Sequence, residues 1–143
     1  MMIRIKLVKS ERNLLEKALK AMMNAHVLWG SSVGAAVLAE DNKIYEGCNV
    51  ETWISGLGVC AERNSVNHAI IHGNRRVKEI AIATDAKNHG TPRPCGACLQ
   101  YLYDFGEDSK VKIIMAETKN GKVLSDTVQV KTVEELLPFP HRK

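Results

Sequence analysis

Two short segments, "GVCAERN" and "PCGAC", constrain this chain more than any other feature. Each places a cysteine after a loop and at the start of a run with helical character: Cys60 in the first, Cys95 in the second, with Cys98 one turn further on. Helix N-termini carry N–H groups without intrahelical partners and the positive end of the helix dipole, which favours a thiolate. If these thiols act together, the fold must bring two loop–helix junctions to one side of a common scaffold.

The rest of the sequence supplies that scaffold. Leu14, Leu15, Ala18, Leu19 and Met22 recur at helical spacing and predict a helix over 11–26, capped by Ser10. "SVGAAVLAE" reads as a strand, and the small Gly34 and Ala35 imply that another element approaches its backbone closely. A turn at Asp41-Asn42 leads into "DNKIYEGCNV", so the pair reads as a hairpin. A helix over 60–72 follows and is stopped by Gly73-Asn74. "VKEIAIAT" has few outward polar positions, as a central strand would. Beyond the turn-rich "DAKNHGTPRP" come a helix over 95–105, the strand "VKIIMAET", the short strand "GKVLSDTV" and a helical turn in "TVEELLP". This order predicts one domain over residues 1–143, a three-layer α/β/α fold with a mixed five-stranded sheet.

Composition narrows the function. The net charge is +4, but the basic residues are scattered and aromatic residues make up 5% of the chain, which argues against nucleic-acid binding. No apolar run approaches the roughly 20 residues that span a bilayer. "MMIRIKLVKS" alternates charge and aliphatics and lacks the unbroken apolar core of a signal peptide, so a cytoplasmic location is expected. In that compartment Cys48, Cys60, Cys95 and Cys98 serve as metal ligands or buried thiols rather than disulfides.

The spacing of Cys95 and Cys98 lets two thiolates grip one ion from a helix's first turn, and Pro94 pre-sets the approach to it. With Cys60 they make three ligands. Catalytic zinc takes three protein ligands and keeps one position open. Glu62 can project toward the metal face without ligating and move protons there. Three thiolates on Zn²⁺ leave a net charge of −1, which the Arg63 guanidinium would offset by hydrogen bonding to sulfur. Two other readings of the same residues stay open: a redox pair of Cys95 and Cys98, and a closed structural zinc site in a binding domain with Cys48 as fourth ligand. His68 and His72 stand at i and i+4, a spacing that can bind metal, but with a ligand set complete elsewhere they read as packing or interface residues. Trp29 and Trp53 read as core or interface aromatics, and Cys48 as facing a packed interior.

The combined pattern resembles the cytidine deaminase family of the small, three-cysteine, homotetrameric type. "SVGAAVL" resembles its V-G-A-A-L strand, and "GCNVETWISGLGVCAER" its G-x-N-x-E-x(8)-C-A-E-R segment. "PCGACLQ" resembles P-C-G-x-C-x-Q, and "ELLP" the closing E-L-L-P. Zinc deaminases pair a metal ligand with a Glu two residues on and a later P-C-x-x-C. The resemblance implies Zn²⁺ on Cys60, Cys95 and Cys98, and a water activated there that attacks C4 of a pyrimidine. Glu62 would shuttle protons as ammonia leaves. It further implies that Asn49 and Glu51 hold the ribose hydroxyls, that the Ala61 N–H and carbonyls near Thr91 or Pro94 contact the pyrimidine, and that Gln100 supports the site from behind the ligands. C-A-E rather than H-A-E points to the nucleoside branch and away from polynucleotide editing.

The pattern departs from the family around the base. Ser31 stands where the family has a stacking Phe, with Trp29 near. Ser55 stands where it often has a Tyr that reaches a neighbouring subunit, with Trp53 near. His141 stands in place of the aromatic after L-L-P, with Phe139 near. The branch acting on blasticidin S also lacks that Phe, so a blasticidin-S-deaminase-like enzyme is the alternative reading, and a modified aminopyrimidine nucleoside a third. His89 lies in the loop before "PCGAC", and nothing in the sequence assigns it a contact with substrate.

Overall fold

A computed structural model of the chain describes residues 5–85 and 92–142. His89 and Thr91 lie outside the described residues. Six strands, β1 (Val33–Ala39), β2 (Ile44–Cys48), β3 (Val77–Asp85), β4 (Lys112–Lys119), β5 (Lys122–Val123) and β6 (Gln129–Thr132), form one mixed sheet. The order across it is β2-β1-β3-β4. β1 is antiparallel to both neighbours, and β3 and β4 are parallel. β5 pairs with the end of β4 at Thr118 and Lys119, and β6 with its beginning from Lys112 to Met115. The five expected strands are thus present, with β3 central, and β6 lies beside β5 along the outer edge of β4.

The helices are α1 (Lys9–Met22), α2 (Ala61–Ile71), α3 (Gly96–Phe105) and α4 (Val133–Leu136). Strand alternation divides the core in two. Val37, Ile80, Ile82, Ile113 and Met115 point to one face, where Ala61, Val66 and Ala69 of α2, Leu99 and Leu102 of α3 and Val133 of α4 pack on them. Ala36, Ala81, Ala83, Ile114 and Ala116 point to the other, under Leu14, Leu15, Ala18 and Met22 of α1. The α1 face of the sheet is paved mainly with alanine, so α1 sits low on it. At Gly34 a Cβ would come within 1.9 Å of the Ala18 carbonyl oxygen, which identifies α1 as the close neighbour implied by "SVGAAV".

Ser10 does not cap α1. The N-cap is Val8, whose side chain has no acceptor, and Ser10 lies inside the first turn. Instead Glu11 reaches back to accept from the Val8 N–H at 2.9 Å, and Lys112 of β4 donates to the same carboxylate at 3.2 Å. These partners hold the Glu11 carboxyl below its ordinary range even though burial opposes them. α1 also ends at Met22 rather than at residue 26, because His26 turns away and bridges to Val50. Replacing Glu11 with Ala removes the cap and the ion pair together. The expected loss is about 1–2 kcal/mol, read by urea denaturation at neutral pH.

The hairpin turn carries Asn42 at φ 63°, a left-handed conformation that Asn tolerates. α2 stops at Gly73, φ 94°, as the sequence predicts. Asn74 is buried and ties this end to the hairpin. Its amide oxygen accepts from Asp41 N at 3.1 Å, and its amide nitrogen donates to Asp41 Oδ2 at 3.1 Å.

Candidate active site

Cys60 is the N-cap of α2 and Cys95 the N-cap of α3, and Cys98 lies in the first turn of α3. The sheet carries both helix starts on one face, so the two segments converge. The three sulfurs lie within 4.8 Å of one another, and among the described residues this is the only grouping of three potential metal ligands. Tetrahedral zinc with Zn–S bonds near 2.3 Å separates its sulfurs by about 3.8 Å. The cluster therefore fits a zinc ion after a small contraction. Exposure falls from Cys95, which is exposed, through Cys60 to fully buried Cys98, so the cluster opens toward solvent on one side.

The electrostatics fit a cation. The Cys98 thiol donates to Cys60 and pulls Cys60 down to about 5, helped by Arg63; Cys98, acting as donor and buried, is pushed far up. Arg63 Nη2 lies 3.9 Å from Cys60 Sγ. Its buried Nε has no hydrogen-bond partner among the described residues. Glu62, second residue of α2, is 6% exposed. Burial pushes its carboxyl above the ordinary range, and the negative charge at Cys60 adds to the shift. Ala61 opens α2, with its N–H at the unpaired end of the helix. Pro94 is buried directly before Cys95.

The structure puts the other singled-out residues to specific uses. Asn49 Oδ1 accepts from Val33 N at 2.8 Å, and its Nδ2 donates to the Ser31 carbonyl at 2.9 Å. Glu51 Oε1 accepts from the N–H groups of Leu28 at 2.5 Å, Trp29 at 2.8 Å and Gly30 at 3.2 Å. These donors, Trp29 foremost, hold its carboxyl below the ordinary range. Both side chains thus pin the 28–33 turn beside the β1 start. Gln100 closes a two-way pair with the backbone of His141: Oε1 accepts from N at 2.8 Å, and Nε2 donates to O at 3.0 Å. It also donates to Asp104, so its hydrogen bonds clamp the C-terminal segment onto α3.

Two expectations are corrected. Cys48 is half-buried at the end of β2 and stands outside the sulfur cluster, which removes the four-cysteine site. Trp29 and Trp53 are not core: they are 59% and 81% exposed and meet edge to face at 5.7 Å. His68 and His72 are exposed, and both rings lie against Tyr45. Two further residues position α2: Asn64, given no role by its place in the sequence, and Gly47, which opens the G-x-N-x-E segment. Asn64 donates to the Cys48 carbonyl at 2.8 Å, and Gly47 leaves room for the α2 backbone.

Losing one sulfur ligand should weaken zinc binding strongly. Cys98→Ala is expected to lower the affinity by more than the roughly 10–100-fold that loss of an outer-shell partner costs, while Cys48→Ala leaves it unchanged; chelator competition reads both.

Comparison with known proteins agrees with this centre. The family model for the cytidine and deoxycytidylate deaminase zinc-binding region matches residues 8–115. A cytidine deaminase of Sporosarcina psychrophila is 35% identical over 126 residues, covering 87% of this chain and 86% of the relative. A blasticidin-S deaminase of Bacillus cereus is 27% identical over 117 residues, covering 78% of this chain and 77% of the relative. The crystal structure of cytidine deaminase from Burkholderia pseudomallei superposes with a TM-score of 0.80 at 30% identity, covering 94% of this chain and all of that one. Two helix-opening cysteine segments meet in one metal-binding cluster beside a buried carboxylate, and the chain belongs to the cytidine and deoxycytidylate deaminase family, as a zinc-dependent deaminase.

Proposed function

We propose that the chain hydrolyses cytidine and deoxycytidine to the uridine product and ammonia, as a cytoplasmic, homotetrameric enzyme of pyrimidine salvage. The observation that carries this reading is the three-sulfur cluster with Glu62 buried beside it at the start of α2. Cys60, Cys95 and Cys98 hold the zinc. Zinc bound there supplies the Lewis acidity that brings water's ionisation near neutrality. Glu62 is the catalytic residue: it takes the two protons of the attacking water in turn, passing one to the ring nitrogen N3 and one to the departing amine, so that C4 keeps a carbonyl oxygen and ammonia leaves. A raised carboxyl pKa suits a group that must both take and give a proton. Arg63 offsets the excess thiolate charge at Cys60.

Asn49 and Glu51 bind the ribose hydroxyls in this reading. Asn49 keeps one amide hydrogen beyond the Ser31 bond, and Glu51 Oε2 takes only the Gly30 N–H at 3.1 Å, so each retains capacity for a hydroxyl. The Ala61 N–H meets the base. Gln100 supports the site indirectly, by fixing the segment at His141. Exposed Trp29, Trp53, Ile54 and Leu57 support assembly with other copies, because an apolar patch of this kind on one chain marks an interaction surface.

The test is ammonia release by the zinc-loaded protein from cytidine, deoxycytidine, cytosine, adenosine and blasticidin S. Turnover of the first two is expected, with cytosine and adenosine inert. Turnover of blasticidin S alone would overturn the substrate assignment and leave the metal chemistry standing.

A further inference from the structure

The C-terminal end of α2 and its C-cap carry two neighbouring histidines, far along the helix from Cys60. His68 and His72 stand at i and i+4, and both are exposed. Their ring centroids are 4.9 Å apart with the planes at 68°. Two imidazoles bound through Nε2 at about 2.0–2.1 Å to one ion, at a tetrahedral or right angle, place their centroids about 4.5–5.2 Å apart. The observed separation falls inside that window.

The protonation pattern suits a ligand pair as well. His68 Nδ1 lies 2.9 Å from the Glu46 carbonyl oxygen, and His72 Nδ1 lies 2.9 Å from the His68 carbonyl oxygen. A carbonyl only accepts, so each Nδ1 carries the hydrogen and each neutral ring keeps its lone pair on Nε2. Metal-binding histidines are oriented in this way, by a backbone carbonyl on the other ring nitrogen. Both rings rest on Tyr45, at 5.3 and 5.2 Å, and Tyr45 is itself buried with its hydroxyl donated to Asp41. Because the carbonyl bonds and this floor restrict the rings in advance, less side-chain freedom is lost on binding. The negative end of the α2 dipole further favours a cation there.

We propose that His68 and His72 form a second, two-ligand transition-metal site that takes a Ni²⁺- or Cu²⁺-class ion through their Nε2 atoms, with water completing the shell. Imidazole ligands and the Irving–Williams order favour these ions over Mn²⁺ or Mg²⁺. The site is independent of the deaminase chemistry and clamps the end of the helix whose start holds Cys60.

The experiment is calorimetric titration of Ni²⁺ into the untagged, zinc-loaded full-length protein, with zinc content measured before and after. The expected result is one Ni²⁺ per chain at micromolar affinity, without loss of zinc. In His68→Gln and in His72→Gln that affinity falls at least tenfold, while folding and zinc content are retained. Absence of Ni²⁺ binding, binding that survives either substitution, or binding matched by zinc release would overturn the proposal.

Discussion

Zinc-loaded Glu62→Gln protein is expected to fold, to keep its metal and to lose turnover by about 10²–10⁴-fold, the usual contribution of a positioned general acid–base. Glutamine fills the same buried space and can still donate or accept hydrogen bonds, but it cannot carry a proton between water and amine. Three readouts separate this role from a structural one. Zinc stoichiometry should be unchanged, because the three sulfurs hold the ion. KM should move far less than kcat. Thermal stability of the metal-free protein at neutral pH should hold or rise. The sign of that last effect follows from burial. Glu62 has a folded-state pKa above its ordinary value of 4.5. The unfolded chain therefore ionises it first, and stability falls as pH rises through the ordinary carboxylate range toward the raised folded value. The amide removes that loss. A Glu62→Gln enzyme that turns over at the wild-type rate would remove Glu62 from the mechanism.

The metal cluster was legible in the sequence because its information is local and redundant. Cys60, Glu62 and Arg63 sit within one turn, and Cys95 and Cys98 within another, so helical geometry alone aims them. The near-continuous apolar runs of β1, β3 and β4 likewise announce a sheet buried on both faces. What sequence missed depends on backbone positions distant along the chain. Asn49 and Glu51 look like free polar groups, yet the 28–33 turn folds back onto both of them. Gln100 shows no sign of its pair with His141, since nothing local specifies where the chain returns after α4. The α1 boundary failed for a related reason. Ser10 is the better intrinsic cap, but Glu11 has both the Val8 N–H and Lys112 to satisfy, and the tertiary partner on β4 moved the helix start forward. β6 escaped notice because its pairing with β4 gives four residues of edge strand little apolar alternation to display.

Gly47→Ala should damage stability and catalysis together. A Cβ at Gly47 would come within 2.4 Å of Ser65 N, 2.8 Å of the Ala61 carbonyl oxygen and 2.9 Å of Asn64 C. All three are backbone atoms in the first turns of α2, so no flexible side chain can swing aside. Either β2 or the helix must move. Overpacking a tight core costs about 1–3 kcal/mol, and a contact against backbone belongs at the upper end. For a chain of this size that lowers Tm by about 6–12 °C. The displacement falls on the turn that carries Cys60 and Glu62, while Cys95 and Cys98 stay with α3. Zinc affinity should therefore drop, and the fully loaded variant should still show a kcat reduced by about 10²-fold, the scale of a 1 Å misplacement. Gly56→Ala is the matching control, because its added Cβ meets nothing within 4 Å. It should shift stability by less than about 0.5 kcal/mol. Equal behaviour of the two variants would mean that the seating of α2 on β2 does not set the geometry of the metal centre. A drop confined to Gly47→Ala would show that the catalytic turn is held in place by the absence of one methyl group on the strand beneath it.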